Sequence, residues 1–361
     1  MTDRLTVAVL GTGRMGAVHT RALQQIARRG LEANGRRVTL EVVLYGRNPT
    51  KLEALARETG VERTFSELDA LWQAEGIDVV DNCLINDLHY DVLRRAIDRG
   101  LHVFTEKPLT IRLDQARDLL SRAERAGVHH GIVQNMRFQA GPARAKELIE
   151  AGALGRIFHV RVVFGYFVPR ELSNRPAWFF SKEQAGGGIV HDMMAHFFDL
   201  ISYLVAPIQS VACFTGTYFP SRIGTDGRPF QVDVEDAAGV LLRLENGAIA
   251  DIFASWVRRR HEEIPLVEID GEKGSVVFSF HTLRLQRAER TPLFRFDPTE
   301  VQQSWQDGWE TIELPRLDPF EVQLEGFLKG ILAGTPFRPD WHDAVTTQEW
   351  IERAYAAAAV V

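Results

Sequence analysis

The run Leu5-Thr6-Val7-Ala8-Val9-Leu10-Gly11-Thr12-Gly13-Arg14-Met15-Gly16 decides the fold of this 361-residue chain. Residues 5–10 are apolar and rich in β-branched side chains, the composition of a strand buried on both faces. Gly11, Gly13 and Gly16 follow at once with G-x-G-x-x-G spacing, and a helical pattern runs on to about residue 29. Alone, that spacing marks many glycine-rich turns. Between a strand and a helix it marks a dinucleotide site, because each glycine then has a task. Gly11 makes the tight turn, Gly13 lets backbone approach a pyrophosphate, and Gly16 lets helix and strand pack closely. Arg14 and Met15 open the helix whose free amides and positive partial charge face the phosphates.

Outward from this unit, strand-like runs at 38–45, 79–83, 102–105 and 130–134 alternate with helical stretches at 51–59, 88–99 and 113–125. Gly60, Gly100 and Gly127 stand just past the ends of those helices, where a left-handed residue stops a helix. The alternation predicts a parallel sheet covered on both faces, a Rossmann domain over residues 1–135. The texture then changes. Strand-like runs at 157–167, 211–219, 238–244, 248–256, 266–270 and 275–280 are joined by turns such as Glu245-Asn246-Gly247. They predict a second, mostly antiparallel α+β domain over 136–361, with one long helix embedded at 187–203 and helices near 319–332 and 342–358. The expected class is α/β followed by α+β.

Forty-two Lys+Arg against 48 Asp+Glu give a net charge of −6, which speaks against nucleic acid or an anionic membrane as partner. Two cysteines, Cys83 and Cys213, make neither a disulfide framework nor a CxxC zinc site. Residues 200–221 lack any charged side chain, but Pro207, Gln209, Ser210 and Thr215 interrupt them, so a helix end followed by a strand is expected rather than a membrane span. No secretory signal is visible, and the expected setting is cytoplasmic.

The end of the second strand bears on the choice of dinucleotide. An acidic residue there binds a ribose 2′-hydroxyl; this chain has Gly46, then Arg47 and Asn48. No carboxylate repels a 2′-phosphate and Arg47 could pair with one, so NAD and NADP both stay open. Thr105-Glu106-Lys107-Pro108 ends another strand. Ligands of open α/β sheets bind at the carboxyl ends of strands, which aims Lys107 at the site, and Pro108 fixes the backbone behind it, where proline permits a cis bond.

In the embedded helix, Gly186-Gly187-Gly188 precede Asp192, His196 and Asp199, which share one face at i, i+4 and i+7. Three glycines permit close approach of backbone to a ligand. A metal reading is poorer: His191 and His196 diverge on a helix and no H-E-x-x-H pattern exists, so no metal is expected.

GTGRMG after the first strand, Glu106-Lys107-Pro108, Asn135-Met136-Arg137-Phe138 and the GGGIVHDMMAHFFD segment at 186–199 together resemble the Gfo/Idh/MocA oxidoreductases across essentially the whole chain. The resemblance implies an active site of Lys107, Asp192 and His196. It implies a nicotinamide cofactor held by the glycine loop together with Gly46, Arg47, Asn86, His89, Glu106 and Lys107. It also implies substrate contacts from Asn135 and Arg137, and an open-faced C-terminal sheet used to form a homo-oligomer, a dimer or tetramer. Two departures stand out. Leu84-Ile85-Asn86 replaces the family's frequent Thr-Pro-Asn, and Gly46 replaces its usual acid. Arg222-Ile223-Gly224-Thr225-Asp226-Gly227-Arg228-Pro229-Phe230 and the segment at 255–260 resemble the branch that oxidises glycosides and related sugars.

The expected function is therefore NAD(P)-dependent oxidation of a sugar or glycoside hydroxyl. His196 takes the hydroxyl proton, Lys107 steadies the developing negative charge, and Asp192 orients its partners. Two other readings are carried: a glycosidase that oxidises, eliminates and re-reduces, and a non-catalytic dinucleotide sensor. Trp178 is expected to stack on the sugar ring. Arg258 and Arg260, alternating along a strand, are expected on one face, where they would grip an anionic sugar; a solvated basic turn is the plain alternative.

Overall fold

The structure is a computed structural model that describes residues 4–33, 35–171, 175–259, 264–293 and 307–358. The chain divides into two compact units. The first comprises residues 1–135, 183–186 and 318–349, and the second comprises 136–182, 187–317 and 350–361. The first unit's longest segment ends at Asn135. The expectation that everything beyond it forms the second domain is not met, because residues 318–349 return to the first unit.

The first unit is built on strands β1 (Arg4–Leu10), β2 (Leu31–Ala33), β3 (Arg36–Tyr45), β4 (Arg63–Phe65), β5 (Val79–Asn82), β6 (His102–Thr105) and β7 (His130–Ile132). They form one sheet in the order β2-β3-β1-β5-β6-β7, with β4 also paired to β3. All pairings are parallel except β2 with β3. Strand order reverses at β1, so the carboxyl ends of β1, β3, β5 and β6 define a switch point where α/β folds bind ligands.

The return of residues 318–349 follows from burial. Asp318 caps the helix Pro319–Ala333 and accepts hydrogen bonds from the amides of Phe320 and Glu321. Leu324, Phe327 and Leu328 from that helix enter the same apolar core as Leu5, Val7, Leu23, Ile26 and Leu44. Arg29 pairs with Glu321 and Glu325 at its surface. Trp341, fully buried, donates its indole N–H to Gly131 O at 3.1 Å. Sequence order carries no sign of this docking because the hydrogen-bonded partners lie 210 to 296 residues apart.

The second unit contains β8 (Ile157–Gly165), β9 (Ile208–Gly216), β10 (Ser221–Ile223), β11 (Pro229–Gln231), β12 (Ala237–Leu244), β13 (Ile249–Ser255), β14 (Leu266–Gly271), β15 (Gly274–Phe278), β16 (Leu283–Arg287) and β17 (Trp309–Thr311). Eight of them form a sheet ordered β17-β16-β15-β14-β8-β13-β12-β9, while β10 and β11 make a separate hairpin. Only β8 and β13 run parallel among the described strands of that sheet, so the expected mostly antiparallel domain is present. One face packs on the helices Ala140–Glu150 and Ala195–Leu204 through Val160, Val162, Val240, Ile252, Phe197 and Leu200. On the other face Phe214, Leu241, Ile249 and Phe253 are exposed. Residues 200–216 are a helix end and a strand, and no helix among the described residues is long and apolar enough to cross a membrane.

Candidate active site

The glycine loop has the geometry its spacing demands. Gly11 has φ +113°, and a Cβ there would lie 2.7 Å from Cys83 O. A Cβ at Gly16 would lie 1.9 Å from Gly11 O, so helix and strand pack as closely as glycine alone permits. Gly13 is exposed and extended, with nothing within 4 Å of its missing Cβ. It precedes the helix Arg14–Arg29, which has no side-chain cap and no acid in its first turn. Its first amides therefore have no protein acceptor from a cap and stand exposed beside Gly13, Arg14 and Met15, an arrangement that fits a pyrophosphate.

At the end of β3, a Cβ on Gly46 would lie 2.4 Å from Thr12 Cγ2. The Thr12 methyl thus fills the space that an acidic side chain at position 46 would need. Asn48 accepts from the Lys51 amide and caps the helix Pro49–Thr59, leaving Arg47 as the exposed charged side chain beside Gly46. Asn86 donates its side-chain amide to Ala185 O at 2.9 Å.

The turn after β6 holds Lys107 half-buried, and the Lys107–Pro108 bond is cis. Two of the residues expected at the cofactor face inward here. His89 is fully buried, with Nδ1 2.8 Å from Pro108 O and Nε2 3.0 Å from Leu84 O. Burial holds its pKa below the usual imidazole value, so the ring is neutral and donates to one of these carbonyls at a time. It staples the loop after β5 to the Lys107 turn, and that accounts for it without cofactor contact. Glu106 is also buried and accepts from the Lys107 amide at 3.1 Å.

Behind Glu106 stands a residue that the motif reading passed over. His19, wholly buried, shares the inner helix face with Leu23 and Ile26. Its Nδ1 is 2.9 Å from Asp81, and its Nε2 is 3.3 Å from Glu106 Oε1. Burial pulls its pKa down, but the Asp81 carboxylate outweighs it and raises it well above the usual value. The signal was available: a histidine at i with apolar residues at i+4 and i+7 is a buried polar group that needs partners.

In the second unit the expected long helix is broken in two. Val190–Met194 is a π-helical turn, and the α-helix proper is Ala195–Leu204. Asp192 sits in the turn with its carboxylate 4.0 Å from Arg175, and His196 is buried at the start of the helix. Asp199, third on that face, is turned to Arg137. The guanidinium Nε donates to Asp199 Oδ2 at 2.8 Å, both side chains are at least nine-tenths buried, and Arg137 lies 4.7 Å over the Tyr203 ring. This ion pair gives Arg137 a buried partner within the protein.

Gly187 and Gly188 are required by the protein's own packing. A Cβ on Gly187 would lie 2.0 Å from the Tyr355 hydroxyl, and one on Gly188 would lie 2.1 Å from Glu235 O. The Glu235 carboxylate accepts from the amides of Gly188 (3.2 Å) and Val190 (2.9 Å) and from the Tyr355 hydroxyl (2.8 Å). Glu235 therefore caps the segment that carries Asp192 and His196.

Trp178 is half-buried on a short turn, edge-on to Phe179. Asn135 ends the first unit, partly exposed. The strand expected to carry Arg258 and Arg260 stops at Ser255. Arg258 is half-buried, its stem packed on Gly165, while Arg259 lies 4.3 Å over the Phe167 ring. Arg260 lies outside the described residues. Arg175, missed in sequence, is the basic group beside Asp192, its guanidinium laid over Phe179 (4.2 Å), Tyr166 (5.3 Å) and Trp256 (5.7 Å). Arg222, in the hairpin resembling the glycoside-oxidising branch, is fully buried and paired with Asp236 at 2.9 Å.

A family model described as an oxidoreductase family with an NAD-binding Rossmann fold matches residues 5–133, and one described as a GFO/IDH/MocA C-terminal domain matches 143–277. D-xylose dehydrogenase of Paenarthrobacter nicotinovorans is 31% identical over 316 residues, 84% of this chain and 81% of that one. Levoglucosan dehydrogenase of Pseudarthrobacter phenanthrenivorans is 28% identical over 291 residues, 77% of this chain and 74% of the relative. A solved levoglucosan dehydrogenase in complex with NADH and L-sorbose superposes with a TM-score of 0.86 at 25% identity, covering 100% of this chain and 98% of that one.

Proposed function

This chain belongs to the Gfo/Idh/MocA oxidoreductases, and on that footing we propose that it moves hydride between a secondary hydroxyl of a sugar or glycoside and a nicotinamide dinucleotide. The helix after the open Gly13 carries the reading, because no described side chain caps its first amides, which suits them to a pyrophosphate. The relatives named for D-xylose and levoglucosan support a sugar as the second substrate.

The dinucleotide, when bound, supplies the hydride acceptor. His196 removes the hydroxyl proton, the general-base task that histidine performs most often. Lys107 donates a hydrogen bond to the oxygen as negative charge develops there. Asp192 orients these groups, with Arg175 in ionic reach of its carboxylate. Arg47 is our candidate for pairing with a 2′-phosphate, which would let the enzyme use NADP alongside NAD. Asn135 and Trp178 remain candidates for sugar contact on their partial exposure.

Phe214, Leu241, Ile249 and Phe253 on the outer sheet face support assembly with a second copy of the chain. A cytoplasmic setting suits the dinucleotide.

The test is a panel of pentoses, hexoses, anhydrosugars and aryl glycosides with NAD or NADP, following nicotinamide reduction and aglycone release together. Stoichiometric reduced cofactor supports the dehydrogenase. Aglycone release without net reduction replaces it with redox-neutral glycoside cleavage.

A further inference from the structure

The buried group Asp81, His19 and Glu106 joins three elements at the carboxyl edge of the first unit's sheet. His19 lies on the second turn of the helix that opens at Gly13, Asp81 is in β5, and Glu106 follows β6 immediately before Lys107. The strands are in register, with Asp81 beside Phe104 and Asn82 beside Thr105, and Glu106 N donates to Asn82 O at 2.8 Å. Two carboxylates are thereby buried with the imidazole between them. Nδ1 lies 2.9 and 3.0 Å from the two Asp81 oxygens, and Nε2 lies 3.3 Å from Glu106. Phe320, from the helix Pro319–Ala333, closes the remaining side with its ring centroid 5.4 Å away.

As an imidazolium the ring serves both acids: Nδ1–H donates to Asp81, and the cation lies in ionic reach of Glu106, 3.3 Å from Nε2. Removing the cation would leave two buried like charges facing each other. Cys83 stands beside His19 and Asp81, their polar side-chain atoms within 4.8 Å of one another, and burial pushes its thiol up to about 12.

We propose that His19 is a positioning residue for Lys107, coupling the dinucleotide helix to the Glu106–Lys107–Pro108 turn. The path is short. The imidazolium fixes the Glu106 carboxylate, Glu106 accepts the Lys107 amide at 3.1 Å, and His89 clamps the far side of the turn through Pro108 O. Dinucleotide bound at the helix N-terminus is then felt at the lysine through side chains that cannot repack independently. That Lys107 acts on substrate rests on the proposed function; the coupling itself does not require it.

The experiment accordingly reads Lys107 without any sugar. Purified full-length wild type, His19→Gln and Glu106→Gln are labelled with acetic anhydride, with and without saturating NADH or NADPH, and the labelling rate of Lys107 is read by mass spectrometry. In wild type, dinucleotide should change that rate at least about threefold. In both variants the response should vanish while dinucleotide still binds. With a substrate in hand, kcat should fall about 10–100-fold in both variants, with the dinucleotide Kd moved far less, as expected of misplaced rather than missing chemistry. Should His19→Gln fail to fold, Glu106→Gln, which keeps the His19–Asp81 pair, decides the matter. An unchanged Lys107 response in a folded variant overturns the proposal, whatever the enzyme's substrate proves to be. If no sugar reduces the dinucleotide in wild type, it is the proposed function that fails.

Discussion

The Tyr355 hydroxyl occupies the space of the side chain that Gly187 lacks, lying 2.0 Å from where a Cβ would stand. The same hydroxyl donates to Glu235, whose carboxylate caps the turn that leads to Asp192 and His196. Gly187→Ala should therefore drive Tyr355 off Glu235, and Gly188→Ala should clash with backbone that cannot swing aside. Overpacking of this kind costs about 1–3 kcal/mol. Denaturant unfolding should show Gly188→Ala losing more than Gly187→Ala, and Tyr355→Phe losing about 1–2 kcal/mol through one hydrogen bond to a buried carboxylate.

The Thr12–Gly46 contact makes cofactor choice a coupled property. Arg47→Ala should weaken NADPH binding by about 10–100-fold, the value of one charge-assisted contact, and leave NADH unchanged. Gly46→Asp alone should weaken both dinucleotides, because its side chain meets the Thr12 methyl. Thr12→Gly with Gly46→Asp should restore NADH binding and repel NADPH. Titrations that show Arg47→Ala indifferent to both would make this arginine a solvated one.

Burial alone would depress the His19 pKa, yet the Asp81 carboxylate holds it well above 6.5. A folded-state value above the unfolded one adds stability that is complete below about pH 6.5 and is lost as pH rises through the folded value. The melting-temperature gap between wild type and His19→Gln should accordingly be widest near about pH 6 and narrow on the alkaline side. The groups facing the ring are Asp81, Glu106 and Cys83. A gap independent of pH would mean that the ring is neutral in the fold.

Arg222 and Asp236 form an ion pair with neither side chain exposed, and Arg222 also donates to the carbonyls of Val168 and Pro169. Asp236→Ala strands a buried guanidinium and should cost about 3–5 kcal/mol. It also removes the acceptor of the Tyr218 and Phe219 amides. Replacing both partners with Arg222→Met and Asp236→Leu should cost less than the single change. Additive losses by chemical denaturation would contradict a coupled pair.

The sheet's outer face gives a test of assembly. Leu241→Arg with Phe253→Glu places charges among exposed apolar side chains and should leave the fold and melting temperature of the isolated chain little changed. Light scattering should find wild type above monomer mass and the double variant at monomer mass. Equal masses for both would remove this face from the account.

What the sequence made legible was local. The strand, glycine turn and helix at 5–29 and the switch from alternation to consecutive strands follow from short-range periodicity, and both are present. The protein partners of Gly187, Gly188, Arg137 and Arg222 were not legible in the sequence. Their partners Tyr355, Glu235, Asp199 and Asp236 lie 14 to 168 residues away, where no spacing rule reaches. The docking of helix Pro319–Ala333 escaped for the same reason: an apolar helix face does not say which core it enters. Charge and polarity patterns identify residues that need partners, and only the fold says whether the partner is protein or ligand.

The central claim is that Lys107 and His196 carry hydride transfer from a sugar hydroxyl. It is tested most directly by single-turnover reduction of NAD or NADP by an active sugar in wild type, Lys107→Met and His196→Ala, with dinucleotide binding measured alongside. The account predicts unchanged dinucleotide affinity and a rate loss of about 10²–10⁴-fold in each variant, the range for a positioned proton-transfer group. Rates within about threefold of wild type in both variants, at full dinucleotide occupancy, would contradict it.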